Sequence, residues 1–235
     1  MESIAHLWII VPLLGFALAF VFGVVAQRSG FCAMGAVSDI VNMGDWGRMR
    51  MWLLAIAVAT IGANLLSLAG LVDLGKSMYT AEQFRLVSYA VGGFLFGVGM
   101  TLASGCGSRN LVRMGGGNLK SLVVLVFLAL TAYMTMKGLL AIPRLRVLDS
   151  FSLDFEGGQD LPAILQHVIP LGHRAAQWLL TGLIGLALVA FILKDAAFRA
   201  NRDYWIAGVI IGLVIVGGWY VTGYVGHVAE DPETL

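Results

Sequence analysis

The chain holds 235 residues, 59% of them hydrophobic and 12% charged, with a net charge of +1 and a mean hydropathy of +0.86. That composition excludes an ordinary water-soluble domain, and cations scattered over connecting segments give no footprint for nucleic acid. What remains is an all-α, multi-pass membrane protein, since roughly 20 apolar residues rising about 1.5 Å each cross a hydrocarbon core of about 30 Å.

In chain order, the first predicted crossing covers residues 7–26. It lacks a basic leading region, begins with Glu2 and shows no cleavage site, so it reads as a retained helix and not a signal peptide. The following run, Gln27 to Asp39, is too polar and glycine-rich to continue a lipid-facing helix, and residues 28–40 are predicted to dip back into the protein as a short re-entrant helix. A second crossing is expected at 51–72 and a third at 87–103. Ser104-Gly105-Cys106-Gly107-Ser108 then interrupts the apolar pattern, with a second re-entrant candidate at 105–117. The remaining crossings are expected at 121–142, 178–193 and 205–225. Between the fourth and fifth, residues 143–177 read as a loop with a short interfacial helix at 161–169, and Asp149, Asp154, Glu156 and Asp160 as a solvated acidic stretch. The whole of 1–235 reads as a single membrane domain.

Charge sidedness orients these crossings. With the N-terminus outside, the inner loops hold Arg28, Arg48, Arg50, Arg109, Arg113, Lys120, Lys194, Arg199 and Arg202, against Lys76, Arg85, Arg144, Arg146 and Arg174 outside. The positive-inside rule favours that orientation, and the cytoplasmic (inner) membrane is the expected location. Lys137 falls at a helix end, where it snorkels to the interface. His6, His167, His173 and His227 fall in terminal or loop regions, and none of the six crossings supplies an acidic residue for a proton relay. No Ser-His-Asp order, HExxH or phosphate loop occurs, so no enzyme activity and no ATP-driven pumping is expected. With no CxxC and no paired histidines, no metal and no cofactor is expected either.

The two cysteines, Cys32 and Cys106, both sit in glycine-flanked breaks: Gly30-Phe31-Cys32-Ala33-Met34-Gly35 and Ser104-Gly105-Cys106-Gly107-Ser108. The same order of events occurs twice, an apolar helix, a Gly-Cys break and a short polar helix. Transporters built from repeats place such broken helices at their substrate sites. Unpaired backbone is tolerated at membrane depth only inside protein or beside water, and helix N-termini favour anions. A thiol is a weak donor with a polarizable sulfur, suited to a soft sulfur-bearing anion. Gly30, Gly105, Ser108, Arg109 and Asn110 are the supporting candidates; Arg109 and Arg113 follow Cys106 at helical spacing, where they either draw an anion or mark the membrane boundary. Gly92, Gly93, Gly97 and Gly99, like Gly208 and Gly212, read as packing positions. Two other readings fit the cysteines: a membrane thiol oxidoreductase or sulfur relay that forms a disulfide or persulfide, and a non-transporting scaffold with structural thiols.

At the two motifs the chain resembles the YeeE/YedE family of bacterial membrane proteins, a sulfur-transport group that includes thiosulfate uptake proteins. The resemblance rests on Arg28-Ser29-Gly30-Phe31-Cys32-Ala33-Met34-Gly35-Ala36 and on Ser104-Gly105-Cys106-Gly107-Ser108-Arg109-Asn110-Leu111, and extends through Gly115-Gly116-Gly117-Asn118-Leu119-Lys120-Ser121. It implies an inverted-repeat fold in which central cysteines pass thiosulfate by hydrogen bonding, with Cys32 and Cys106 as the substrate-contacting residues. Full-length members carry a second half with another Gly-Cys motif. The resemblance therefore implies that residues 1–235 correspond to an N-terminal part, one half of the repeat, completed by further chain, a separate half-chain or a homo-oligomer. A soluble sulfur-carrier protein is a further expected partner.

Overall fold

A computed structural model describes residues 2–76, 83–149, 153–154 and 173–226. Helix α1, Glu2–Ser29, is 28 residues long, about 42 Å of helix, and so exceeds the thickness of a hydrocarbon core. It stops at Gly30, whose φ of 65° lies in the left-handed region that favours glycine. Helix α2, Ala33–Met43, follows and is ended by Gly44, another left-handed residue. Helix α3, Gly47–Leu68, leads through a short turn at Leu74–Lys76 to a two-residue strand β1, Gln83–Phe84. Helix α4, Leu86–Leu102, is followed after the second break by α5, Gly107–Gly115. Helix α6, Leu119–Lys137, starts at Asn118, whose side chain accepts the N–H groups of Lys120 and Ser121. After single turns at Ala141–Pro143 and Arg144–Leu148, strand β2, Leu153–Asp154, pairs antiparallel with β1. Helix α7, His173–Leu193, α8, Ala196–Ala200, and α9, Arg202–Tyr220, complete the order, with α9 continuing as a π turn over Val221–Val225.

The protein is an all-α, multi-pass membrane protein, and among the described residues six spans are long and apolar enough to cross a bilayer. Their edges shift for physical reasons. Helix α3 begins at Gly47 instead of 51 because both of its early arginines find partners. Helix α7 begins before 178 and includes Gln177, whose amide donates to Asn64 Oδ1 of α3 at 2.9 Å. Helix α6 stops at Lys137, short of 142, where Gly138 adopts an extended conformation. The interfacial helix expected at 161–169 lies outside the described residues. Asp149 departs from the expected solvated stretch: its carboxylate is 7% exposed, with Arg85 Nη1 at 3.3 Å and Arg144 Nε at 3.8 Å.

Helix α3 is the hub, packed by α9, α7 and α2. Around its first turns Met51 and Leu54 join Ile192, Phe198 and Ala207 in the buried core, with Phe31, Tyr204 and Trp205 packed against it. The approach of α9 depends on Gly208 and Gly212. A Cβ on Gly208 would meet the Met51 carbonyl oxygen at 3.0 Å; one on Gly212 would sit 2.6 Å from Val58 Cβ and 2.9 Å from the Ala55 carbonyl oxygen. These two glycines pack as expected. Those of α4 differ: Gly92, Gly93, Gly97 and Gly99 have nothing within 4 Å of an added Cβ, and α4 has no buried residue.

Gly212→Val therefore forces α9 off the α3 backbone, with an expected loss of at least about 1–3 kcal/mol. Gly93→Ala meets open space and leaves stability unchanged or slightly raised through helix propensity. Thermal unfolding of the two variants in detergent checks the contrast; equal melting temperatures would disprove the assigned α3–α9 contact.

Candidate functional site

Both breaks use one backbone device. At the first, left-handed Gly30 is followed by Phe31, whose N–H returns to the Ala26 carbonyl at 3.1 Å. At the second, Ser104 takes the left-handed position with φ 53°, and the Gly105 N–H returns to the Met100 carbonyl at 3.0 Å. These bonds satisfy carbonyls left over at a helix C-terminus. In each case the cysteine stands two residues after the left-handed one, adopts extended backbone angles and becomes the N-cap of the next helix. The carbonyls of Cys32 and Cys106 then accept from Ala36 and Asn110 at 2.9 and 3.0 Å, opening α2 and α5 in the same register.

The two N-caps meet. Cys32 Sγ lies 3.5 Å from Cys106 Sγ, and Cys106 Sγ lies 3.2 Å from Ser108 Oγ. Both cysteines are free thiols. The Gly35 N–H caps the Cys32 sulfur at 3.5 Å. The main-chain N–H of Cys106 also approaches that sulfur, while those of Ala33 and Arg109 approach the Cys106 sulfur without full capping geometry. Two helix N-termini thus converge on one pair of sulfurs, and their partial positive charge favours an anion there.

The supporting candidates divide by what they touch. Ser108 is part of the cluster. Asn110, 2% exposed, does not face the sulfurs with its amide nitrogen: Nδ2 donates to the carbonyls of Gly105 and Cys106 at 3.2 and 3.3 Å, bracing the break from behind. Arg113 donates to the Ser104 carbonyl at 2.8 Å and so holds the left-handed serine in place. Gly105 is buried against the Arg109 stem, where an added Cβ would meet Cγ at 3.3 Å. Arg109 Nη1 is buried with no hydrogen-bond partner among the described residues. Gly30 serves through its backbone conformation, and Arg28 lines a separate cavity of about 320 Å³ with Ser29 and Asp203.

A second set was not singled out from sequence. Asp39, buried in α2, accepts both Arg48 Nε at 2.6 Å and Nη2 at 3.1 Å, a two-point pair that ties α2 to α3. The same guanidinium lies over Gly35, so a side chain there would strike it at 2.8 Å. Arg50 pairs with Asp195 and lies over the Phe191 ring at 5.5 Å, fixing the far end of α7. The signal was present: Asp39 lies on the α2 face one turn beyond Gly35, and Arg48 follows immediately after the Gly44 turn.

Fold and site together define a multi-pass helical membrane protein organised around two broken helices whose cysteines touch. The family described as sulphur transport matches residues 28–230, and the chain belongs to that family, the YeeE/YedE group. The chain is 32% identical to the thiosulfate transporter TsuA of Spirochaeta thermophila over 124 residues, 53% of this chain and 36% of that protein. It is 31% identical to the thiosulfate transporter TsuA of Escherichia coli over 129 residues, covering 55% and 34% respectively. The match spans about a third of the length of each of these relatives.

Asn110→Ala strands the Gly105 carbonyl, while the Cys106 carbonyl keeps the residue 110 main-chain N–H, and is expected to cost about 1–3 kcal/mol. Asn110→Asp should cost more, because it replaces the donor with negative charge facing those same carbonyls. Thermal unfolding checks the order, and faster maleimide labelling of Cys106 in both variants would accompany it. Unchanged melting and labelling would remove Asn110 as the brace of the second break.

Proposed function

We propose that this chain is the cysteine-bearing part of a cytoplasmic-membrane transporter for thiosulfate, with the anion passed along Cys32 and Cys106 by hydrogen bonding and without a covalent step. The observation that carries the reading is the 3.5 Å approach of the two sulfurs at the N-termini of α2 and α5. In a touching pair one S–H donates to the other sulfur. The Cys106–Ser108 contact spends another hydrogen, so of the three hydrogens on Cys32, Cys106 and Ser108 one remains for a ligand. Helix N-termini attract the charge, and weak thiol donors hold it without trapping it. Arg109, with an unpartnered buried nitrogen one turn into α5, supplies the cation that draws the anion in.

Family membership and the names of two relatives support a sulfur oxyanion as cargo. The sidedness of the cations supports an external N-terminus, which puts Arg28, Arg48, Arg109 and Arg113 on the cytoplasmic side with the cysteine pair. Since its match covers about a third of each relative, the reading includes a further half of the route supplied by additional chain, a half-chain partner or another copy. Release on the cytoplasmic side suits hand-over to a soluble sulfur carrier.

Thiosulfate-dependent growth and uptake of labelled thiosulfate test this. Cys32→Ala and Cys106→Ala should each reduce uptake on the order of tenfold or more, the scale of one lost hydrogen bond to a charged group. Serine at either position should recover part of that loss by restoring a donor. Arg109→Gln should raise KM more than it lowers maximal uptake, with the difference shrinking at high salt. Undiminished uptake in both alanine variants, at wild-type membrane levels, would sink the thiol route.

A further inference from the structure

The sulfur pair has a chemistry that hydrogen bonding does not use. Two free thiols stand 3.5 Å apart, in contact and unbonded. A disulfide needs about 2.05 Å between sulfurs, so closure asks for only about 1.5 Å of approach. The sulfurs are presented by N-cap residues of two different helices, and the chain between them, from Cys32 to Cys106, includes all of α3 and α4. Closing this bond would therefore lock α2 to α5 across the site.

We propose that Cys32 and Cys106 form a two-electron thiol–disulfide couple whose oxidant is a polythionate, tetrathionate being the simplest. The proposal rests on the transport reading for the route by which a sulfur oxyanion reaches the pair. Tetrathionate is two thiosulfate units joined through their outer sulfurs, so it presents the same sulfonate ends to the two helix N-termini. One cysteine, as thiolate, attacks a central sulfur of the anion. The central S–S bond breaks, and one thiosulfate leaves with the electron pair, giving an S-thiosulfonate adduct in which the cysteine Sγ carries an S–SO3⁻ group. The second thiolate attacks the cysteine sulfur of that adduct and expels a second thiosulfate. In total two thiols and one tetrathionate become one disulfide, two thiosulfate ions and two protons. The cysteines are oxidised and the tetrathionate is reduced.

The exchange is stoichiometric, and it has a consequence for passage. A disulfide has no S–H, so closure removes both thiol donors from the site and pins the two helices that carry them. The oxidised dimer of the cargo thereby shuts the route until a dithiol reductant reopens it.

The test uses the full chain in membrane vesicles. After exposure to tetrathionate and removal of excess, the protein is unfolded in detergent and labelled with a maleimide, released thiosulfate is quantified, and intact mass is measured. The expected result is loss of both labelled thiols, two thiosulfate ions per chain, a mass lower by two hydrogens, and recovery of both thiols with dithiothreitol. In Cys106→Ser, one thiosulfate is released and the adduct stays on Cys32. Two thiols still free in the wild type, or a wild-type adduct that never resolves, would overturn the couple. The two readings fail separately. Cysteine-dependent uptake with thiols untouched by tetrathionate defeats this inference alone, whereas a resolved disulfide with cysteine-independent uptake defeats the transport reading and leaves the couple standing.

Discussion

Lipid satisfies no backbone hydrogen bond, and that constraint governs this structure at its two breaks. Each break ends one helix and begins another within three or four residues, so leftover carbonyls and leftover N–H groups crowd into one small volume. The carbonyl side is answered from within: bonds from Phe31 to Ala26 and from Gly105 to Met100, and donors from Asn110 and Arg113. The N–H side is answered by sulfur, a soft and weak acceptor. That asymmetry leaves donor capacity unspent where the two helices meet, and on the proposed function a small anion would complete it.

The two jaws of the site are held unequally. Helix α2 is tied to the α3 hub by the Asp39–Arg48 pair, and α3 is in turn fixed by Arg50–Asp195, Asn64–Gln177 and the close glycine contacts of α9. Buried charges without partners are costly at membrane depth, so these pairs define a rigid side. Helix α5 packs chiefly on α6 and reaches α1 weakly, and α4, which leads into it, buries no residue. Among the described residues, α5 is therefore the less firmly packed of the two helices that carry the cysteines at their starts. Sulfurs in contact leave no gap between them.

Much of this was legible in the sequence, and the limits were local. Apolar runs pointed to six segments long and apolar enough to cross a bilayer because length and hydropathy are properties of single segments. The repeated Gly-Cys breaks pointed to Cys32 and Cys106 because glycine and cysteine interrupt patterns that leucine and valine continue. The true correspondence of the two breaks was harder to read. Sequence pairs Gly30 with Gly105 by type, but the backbone pairs Gly30 with Ser104, a serine in a conformation that non-glycine residues seldom adopt. The bond from Arg113 to the Ser104 carbonyl, nine residues away in sequence, supports that choice, and a local sequence pattern does not display it. Asn110 offered a polar side chain of either use; its partners, not its type, made it a brace. Asp39 escaped notice because it falls between predicted crossings, where acidic residues are ordinary.

Serine would supply a stronger donor at both N-caps and is the commoner residue there, so the choice of sulfur needs a reason. A serine hydroxyl at an N-cap accepts a main-chain N–H firmly, which spends the helix N-terminus on the side chain. At the Cys32 cap the N–H to sulfur distance is 3.5 Å, and Cys106 makes no side-chain cap bond at all. Cysteine thus marks the helix start while leaving its N–H groups only loosely engaged. On the proposed function, an arriving anion would compete with a weak internal bond instead of a strong one, and the internal bond would re-form when the anion leaves. Weak capping is therefore what keeps the paired helix ends available at low cost, and two such ends facing each other give one site whose donors are shared between α2 and α5.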